Sequence, residues 1–413
     1  MEPNRPLWGT HSVGEVIPAR RRLRHSQTDA RECGRMQPVP GPFARALPRT
    51  AFWAKKTGMS SQRTVKNLRN LMEIVLALIA VSPWHACAQA SALASSPFQP
   101  VPELPYRVLT NFFKSPKDVI AGEASAVAVN AKGHIFLFQR TKPMLAEYDE
   151  KGNFVKSLGR GLFSHPHGLR IDADGNLWTT DDGSHLVLKL DPSGTVLLVL
   201  GRINTGAEAD WLFNKPADVA FAKNGDIYVA DGYGNSRVVK FDRDGRYLKS
   251  WGKYGTAIGE FNLPHTVAVD EAGRVYVGDR ENQRIQIFDS EGNFLKQWTG
   301  IGYPYGLAIT PDQHVWMADG GYDRIVELDQ SGKILGAFGE PGHKPGQMAW
   351  AHFLAIGPNQ TVYVADVLNW RFQVFARTAP TGNMTKYIPS VRMFWGSVPS
   401  IGWSSKQTEM PLK

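Results

Sequence analysis

The stretch FNLPHTVAVDEAGRVYVGDRENQRIQIFDSEGNFLKQWTG, residues 261–300, decides the fold. It contains four short runs of strand-forming residues, at 265–269, 274–278, 284–288 and 294–298, separated by the sets DEAG, DREN and DSEG. Short β-type runs cut by Asp, Asn and Gly are typical of antiparallel strands joined by tight turns. The stretch therefore predicts a four-stranded antiparallel sheet.

The same pattern recurs along the chain with a period of about 40 residues. The six copies begin near Ala124, His165, Asn214, Asn262, Tyr303 and Trp350. Four strands in a repeat of this length are typical of the blades of a β-propeller. The sixth copy stops after its third strand, and a strand-like segment at residues 106–113 precedes the first copy. We therefore expect an all-β, six-bladed propeller over residues 106–380, its ring closed by this N-terminal strand so that no sheet edge stays open.

The positive charge of the chain lies outside the predicted propeller. The net charge is +9, but residues 1–90 carry 14 Lys and Arg against 5 Asp and Glu, whereas residues 91–413 carry 33 of each. A nucleic-acid-binding role therefore has no basic surface to support it. Both cysteines, Cys33 and Cys87, also precede residue 91, so no disulfide or cysteine metal ligand is expected in the propeller.

The first ninety residues contain the three parts of an export signal. Residues 63–69 are basic and polar, residues 74–81 (IVLALIAV) are apolar, and the small residues Ala88 and Ala90 precede the expected cleavage point. We expect a signal peptide at 59–90 and an exported protein, periplasmic or extracellular. An uncleaved anchor is the alternative, although the apolar run is shorter than the roughly 20 residues that span a bilayer.

The remaining segments outside the repeats are assigned by composition. Met59 lies at the expected distance before the apolar run, so residues 1–58 are interpreted as a non-native or disordered basic leader. Residues 91–105, rich in Ser and Pro, are predicted to be a linker, and residues 381–413 a C-terminal tail.

The copies resemble NHL repeats. In four of them an Asp at the end of the second strand is followed five or six residues later by an Arg. These pairs are Asp231 with Arg237, Asp279 with Arg284, Asp319 with Arg324, and Asp366 with Arg371. We interpret them as structural ion pairs that tie the turns within each blade, because the repeat indicates a fold and not a function.

Equivalent positions in the first strands differ from copy to copy in a regular way. Counting back five residues from the residue before each hairpin turn gives, in blade order, Ser125, His167, Ala217, His265, Tyr305 and His352. We name these the wheel positions. First strands line the channel of a propeller, so histidines from alternate blades converge on one axis. Three imidazoles can hold catalytic zinc and leave a fourth position for water or substrate. His165 lies two residues before His167 and does not occupy a wheel position, so a structural role is expected for it.

Three stretches resemble the peptidyl-α-hydroxyglycine α-amidating lyases, which are six-bladed zinc propellers. These are HPHGLRIDADGNLWTTD (165–181), KPADVAFAKNGDIYVADGYGNSRVVKF (215–241) and LPHTVAVDEAGRVYVGDRENQRIQIF (263–288). The turns DGYGNSR and DRENQR are more specific than the generic repeat. The resemblance implies zinc bound by His167, His265 and His352. It also implies catalytic roles for Tyr233, Arg280 and Arg140.

The chain departs from that family at several positions. The family holds a structural calcium with an Asp directly after the third His and with two backbone carbonyls. Here the residue after the third His is Phe353, which argues against calcium, although the carbonyl positions Val127 and Leu169 are retained. Gln139 replaces a family His and Trp350 replaces a family Met, which indicates a reshaped substrate pocket.

These residues point to a zinc-dependent lyase that cleaves a carbinolamide to an amide and glyoxylate. Zinc would acidify the substrate hydroxyl, Tyr233 would act as base or proton relay, and Arg140 and Arg280 would hold the carboxylate and the developing aldehyde. The expected partner is a small molecule or peptide with an α-hydroxyglycine-like group. No nucleic acid and no membrane span after signal cleavage are expected, and the protein is expected to be a monomer. Two alternatives stay open: a non-catalytic NHL propeller that binds a protein or small ligand, and a zinc propeller hydrolase that activates water.

Overall fold

The computed structural model describes residues 101–379 and 387–388, which form an almost purely β structure. Two short strands, β1 (Val101–Pro102) and β2 (Tyr106–Val108), precede the first blade. Blade one comprises β3 (Ala124–Val129), β4 (Ile135–Gln139), β5 (Leu145–Tyr148) and β6 (Phe154–Leu158). Blade two comprises β7 (Pro166–Ile171), β8 (Leu177–Asp181), β9 (Leu186–Leu190) and β10 (Val196–Gly201). Blade three comprises β11 (Asp218–Phe221), β12 (Ile227–Asp231), β13 (Arg237–Phe241) and β14 (Tyr247–Trp251).

The second half of the ring repeats this order. Blade four comprises β15 (Pro264–Val269), β16 (Val275–Asp279), β17 (Arg284–Phe288) and β18 (Phe294–Thr299). Blade five comprises β19 (Pro304–Ile309), β20 (Val315–Asp319), β21 (Arg324–Leu328) and β22 (Ile334–Phe338). The parallel pair β23 (Glu340–Pro341) and β24 (Gln347–Met348) lies in the loop after blade five. Blade six contains β25 (Ala351–Ile356), a 3-10 helix (Pro358–Gln360), β26 (Val362–Asp366) and β27 (Arg371–Arg377), and β28 (Tyr387–Ile388) follows.

The ring closes through the N-terminal strand. β2 pairs antiparallel with β27, with Tyr106 opposite Arg377 and Val108 opposite Phe375, and so supplies the fourth strand of blade six. This confirms the predicted six-bladed propeller closed by an N-terminal strand. The strand is shorter than the predicted segment 106–113, because the chain turns away at Asn111, whose φ is 55°.

The strands of a blade differ in burial, and the second and third strands are the most deeply buried. Each first strand lies beside the first strands of the neighbouring blades, so these strands form the channel wall. The second and third strands are almost wholly buried, as in β16 and β17 of blade four. The fourth strands of blades one, two and four, such as β18, alternate between exposed and partly buried residues, because only one of their faces packs against the next blade. In blade five β22 has no exposed residue, since β1 lies beside it.

The four Asp–Arg pairs join the second and third strands of their blades. In each pair the Arg Nε donates to an Asp Oδ2, over 3.0 Å in blade three, 2.7 Å in blade four, and 2.9 Å in blades five and six. All four carboxylates are fully buried. A buried ion pair with this geometry fixes the turn between two strands, so the structural interpretation of these pairs is confirmed.

Several predicted segments lie outside the described residues: the leader at 1–58, the signal peptide at 59–90 and most of the tail at 381–413, with both cysteines. The end of the predicted linker is described. There β1 pairs with β28, and the backbone N–H of Leu104 donates to the carbonyl of Ala337 in blade five over 2.8 Å. Among the described residues, no helix is long and apolar enough to cross a membrane.

Candidate metal centre and active site

The structure brings the three wheel histidines together on the channel axis. The side chains of His167, His265 and His352 are buried, and their ring centroids are 4.8, 4.8 and 4.9 Å apart. One nitrogen from each ring lies within 4.8 Å of the other two. Three imidazoles grouped in this way could hold a metal ion.

Local backbone geometry turns each histidine toward the axis. β7, β15 and β25 each shift register against the second strand at the histidine. An extra residue at a bulge bends a strand and re-aims its side chain, and bulges are common beside active sites. Leu263 and Trp350, two residues before His265 and His352, adopt φ values of 67° and 66°, an uncommon conformation for side chains of this size. The fold thus fixes the histidines before any ligand binds.

The remaining wheel positions orient these rings through backbone oxygens. Each histidine Nδ1–H donates to a carbonyl on the following blade: His167 to Ala217 over 2.6 Å, His265 to Tyr305 over 2.6 Å, and His352 to Ser125 over 2.7 Å. A carbonyl only accepts, so Nδ1 carries the proton and Nε2 presents its lone pair to the axis. Even-numbered blades therefore supply imidazoles and odd-numbered blades supply the acceptors that hold them.

The three imidazoles are held in the neutral form that binds metal. Burial lowers the pKa of His167 and His265 well below the usual value, and the neighbouring His352 and Arg280, respectively, lower them further. Burial, followed by the charge of Arg140, lowers the pKa of His352 to about 3. Three neutral imidazoles with inward Nε2 atoms fit a zinc ion with an open fourth position. These residues could hold the metal without rearrangement of their hydrogen bonds to the backbone.

Tyr233 stands directly over this triangle. It lies on the turn between β12 and β13, and its hydroxyl oxygen is 3.0 Å from Nε2 of both His167 and His265. Burial raises the pKa of Tyr233 to about 12, although Arg280 acts in the opposite direction. The phenol is therefore protonated at neutral pH in this arrangement and is placed to donate to, or exchange a proton with, a group at the histidines.

Arg280 contributes a buried positive charge beside the same hydroxyl. Its Nη1 donates to the Tyr233 oxygen over 3.3 Å and its Nε donates to Glu281 over 2.8 Å. The guanidinium carbon lies 4.7 Å from the ring centroid of Tyr305 and 5.5 Å from that of Tyr233. Two aromatic faces thus clamp the cation, and both are favourable cation–π contacts.

Arg140 lies at the edge of the site and not in its centre. Its Nε donates to the carbonyl of Pro166 over 3.2 Å, and its Nη1 forms an ion pair with Glu123. The positive charge of Arg140 lowers the pKa of His167 and His352. The structure therefore brings Tyr233 into contact with two of the histidines and Arg280 into contact with Tyr233. Arg140 reaches the site through its hydrogen bond to the carbonyl of Pro166, the neighbour of His167.

Sequence reasoning assigned no functional role to Tyr305 and did not identify Asp182 as the partner of His165. Tyr305 occupies a wheel position, its ring is 5.1 Å from that of His265, and Trp350 packs against it with centroids 6.0 Å apart. Its wheel position could have indicated that Tyr305 lies close to the histidines. An aromatic residue at such a position is, however, also expected simply to line the channel. His165 lies outside the triangle, as expected, with its Nδ1 hydrogen-bonded to Asp182.

The residues that the resemblance links to calcium do not fit that ion. Val127 and Leu169 are buried in β3 and β7. The third position is Phe353, whose ring is buried 4.9 to 5.7 Å from the three imidazole rings. Calcium prefers six to eight oxygen ligands including carboxylates, and an aromatic ring offers none.

Comparisons with known proteins show which sequences and folds this chain resembles. The family model described as "NHL repeat" matches residues 163–190, 213–241 and 261–288. A Caenorhabditis elegans protein named "Probable peptidyl-alpha-hydroxyglycine alpha-amidating lyase pgal-1" is 37% identical over 204 residues, which cover 43% of this chain and 58% of that protein. A Mus musculus protein named "Peptidyl-glycine alpha-amidating monooxygenase" is 33% identical over 197 residues, which cover 40% of this chain and 20% of that protein. The chain thus spans little more than half of the first relative and a fifth of the second.

A solved structure shows the same fold at lower similarity. "Streptogramin B lyase structure" aligns with a TM-score of 0.50 and 14% identity, covering 66% of this chain and 98% of that chain. The NHL matches include His167, Tyr233, His265 and Arg280, whereas His352 lies outside them. The resemblance noted from the sequence motifs is therefore confirmed.

Proposed function

Because this chain is an NHL-repeat propeller related to the peptidyl-α-hydroxyglycine α-amidating lyases, we propose that it is a zinc-dependent carbon–nitrogen lyase. Its substrate would be an N-acyl or peptidyl α-hydroxyglycine, cleaved to an amide and glyoxylate. The observation that carries the proposal is the contact of the Tyr233 hydroxyl with two neutral histidine nitrogens and with buried Arg280. Export to the periplasm or the extracellular space belongs to the same proposal and rests on the N-terminal sequence pattern.

The three Nε2 atoms are the proposed zinc ligands. Bound there, zinc would supply a Lewis acid that favours ionisation of the substrate hydroxyl at neutral pH. The carbonyls of Ala217, Tyr305 and Ser125 keep the rings in the metal-binding tautomer throughout turnover.

Tyr233 is the proposed proton relay. In the reaction the substrate O–H proton leaves, a C=O bond forms, the C–N bond breaks, and the released amide nitrogen gains a proton. The reaction therefore needs no external oxidant or reductant. The Tyr233 hydroxyl lies within 3.0 Å of the ligating nitrogens and can pass a proton from the hydroxyl to the departing nitrogen.

Arg280 is the proposed anchor of the substrate carboxylate. Its Nε and Nη1 are engaged by Glu281 and Tyr233, whereas no described residue accepts a hydrogen bond from Nη2. That edge of the guanidinium is free to bind an oxygen of the carboxylate with charge assistance. Arg140, held by Glu123 and Pro166, would add positive potential at the edge of the site.

Metal analysis combined with a product assay tests the proposal. The purified protein should contain stoichiometric zinc and should release glyoxylate from an N-acyl α-hydroxyglycine. His265→Ala should lose both properties, whereas His343→Ala, which changes an exposed histidine bonded to Asn369, should keep them. If the protein binds zinc and hydrolyses esters or lactones but releases no glyoxylate, the result would favour the zinc propeller hydrolase. A protein without bound metal would favour the non-catalytic propeller.

A further inference from the structure

An aromatic ring and a paired arginine lie next to the histidine triangle. Phe353 follows His352 in β25, and its ring lies 5.6 Å from that of His167 and 5.7 Å from that of His265. The guanidinium carbon of Arg170 lies 5.3 Å from the Phe353 ring centroid. A cation over an aromatic face is a favourable contact, and it is stronger where water is excluded.

Arg170 forms a two-point ion pair with Asp218 on the next blade. Its Nε donates to Asp218 Oδ1 over 2.9 Å and its Nη2 to Oδ2 over 2.5 Å. The Asp218 side chain is fully buried, and that of Arg170 is 17% exposed. A bidentate pair of this kind fixes both distance and orientation, and leaving either charge without its partner would be costly in this environment.

The pair continues into blades four and five through Thr266. The Thr266 hydroxyl donates to Asp218 Oδ2 over 2.8 Å and accepts from the backbone N–H of Leu307 over 3.1 Å. The backbone N–H of Val267 also donates to Asp218 Oδ2, over 3.1 Å. Residues from blades two, three, four, five and six are therefore joined at the channel around one positive charge.

The same place in the channel would have to receive calcium. Val127 and Leu169, the two retained carbonyl positions, line a cavity of about 320 Å³, whose lining also includes Arg170 but none of the three histidines. A fixed positive charge here repels a divalent cation, and the neighbouring carboxylate of Asp218 is already paired.

From this geometry we propose that the Arg170 guanidinium takes the place of calcium in this chain. It is an internal cation that joins the blades beneath the histidine triangle, with Asp218 as its counter-ion and Phe353 as its cap. The protein is thus independent of calcium. The proposal concerns folding and cofactor content, so it stands or fails separately from the lyase reaction.

Thermal unfolding of the full chain tests calcium independence directly. We expect the Tm to be the same with excess Ca²⁺ and with a calcium-selective chelator, and the purified protein to contain no stoichiometric calcium. A Tm that rises with Ca²⁺ or falls with the chelator would overturn the proposal.

Variants of the ion pair test the role of Arg170. Arg170→Met leaves Asp218 buried without its partner, so the Tm should fall by about 10 °C, and Asp218→Asn should have a comparable effect. In the double variant Arg170→Met/Asp218→Asn, the Tm should fall by much less than the sum of the two single decreases, because both charges are removed together. Arg246→Met, which breaks an exposed surface pair with Asp242 and Asp244, is the matched control and should leave the Tm almost unchanged. Additive losses in the double variant would contradict the proposal.

Placing a carboxylate at position 353 tests whether Arg170 stands in for calcium. Phe353→Asp alone should not confer calcium-dependent stability, because Arg170 is still present and would pair with the new carboxylate. Phe353→Asp combined with Arg170→Ser should make the Tm rise with Ca²⁺. Calcium stabilisation of the single Phe353→Asp variant would show that Arg170 does not occupy the cation position, and so would refute the proposal.

Discussion

The two ends of the central channel are built from the same six first strands but have opposite chemistry. At one end, three Nε2 atoms and the Tyr233 hydroxyl converge, and Arg280 keeps an edge without a partner among the described residues. At the other end, Arg170 and Asp218 satisfy each other, and Thr266 uses its hydroxyl both as donor and as acceptor.

The difference separates a site from a scaffold. Polar groups whose hydrogen bonds are not satisfied within the protein lower its stability. Such groups are typical of sites where a bound ligand supplies the missing hydrogen-bond partners. Polar groups that pair within the protein hold the blades together. Substitutions at the histidine end should therefore change activity more than stability, and substitutions at the Arg170 end should do the reverse.

Among the residues beside the three histidines, removing the Tyr233 hydroxyl should have the largest effect on activity. Tyr233→Phe keeps the ring between the histidines and Arg280 but removes the proton relay, so kcat should fall about 10²- to 10⁴-fold. Zinc content should stay at the wild-type level, because the three Nε2 atoms are untouched. Steady-state kinetics with glyoxylate detection measures the change. Unaltered turnover would remove Tyr233 from the mechanism.

Removing Arg280, the proposed carboxylate anchor, should have the next largest effect. Arg280→Ala loses a charged hydrogen bond to the substrate, so kcat/KM should fall roughly 10- to 200-fold, mainly through a higher KM. The matched variant is Arg140→Ala, which should lose less, since Arg140 is held by Glu123 and Pro166 at the edge of the site. An equal or larger loss at Arg140 would mean that the two arginines have exchanged roles.

The sequence predicted the scaffold and the histidine triangle for the same physical reason. A four-stranded repeat places equivalent residues at equal distances from the axis, so a residue type that recurs in alternate copies must converge in space. His167, His265 and His352 could be found in this way from register alone. Tyr233 and Arg280 lie on turns that differ in length between blades, so their convergence depended on the family resemblance.

Contacts across blades could not be predicted from register. Arg170 and Asp218 are 48 residues apart and occupy different positions in their strands, so only the reach and direction of their side chains bring them together. The family resemblance implied that Phe353 stands where a calcium ligand would be, but nothing in the sequence indicated that an arginine lies over its ring. The carbonyl acceptors for the histidines were also hidden, because any residue can supply them.

A smaller effect is expected where an aromatic ring supports Arg280. Tyr305→Leu removes the nearer of the two aromatic faces, so kcat/KM should fall about 2- to 30-fold, the range of one cation–π contact. Tyr305→Phe keeps the face and should remain close to the wild type. The backbone acceptor for His265 is retained in both variants, so zinc content should not change. If both variants lose activity equally, the hydroxyl and not the ring face is the important group.

The scaffold end should respond to substitution with stability alone. Thr266→Val conserves shape but leaves Asp218 without one donor and Leu307 N–H without its acceptor, so the free energy of unfolding should fall by about 1–3 kcal/mol. Thr195→Val, at an exposed turn where the hydroxyl contacts Ser193, is the control and should change it by less than about 0.5 kcal/mol. Urea unfolding gives both values. Although Thr266 follows His265 directly, kcat should be unchanged, because the Thr266 hydroxyl is directed to Asp218 and away from the histidine nitrogens. A loss of kcat without a loss of stability would mean that the two ends of the channel are coupled through this strand.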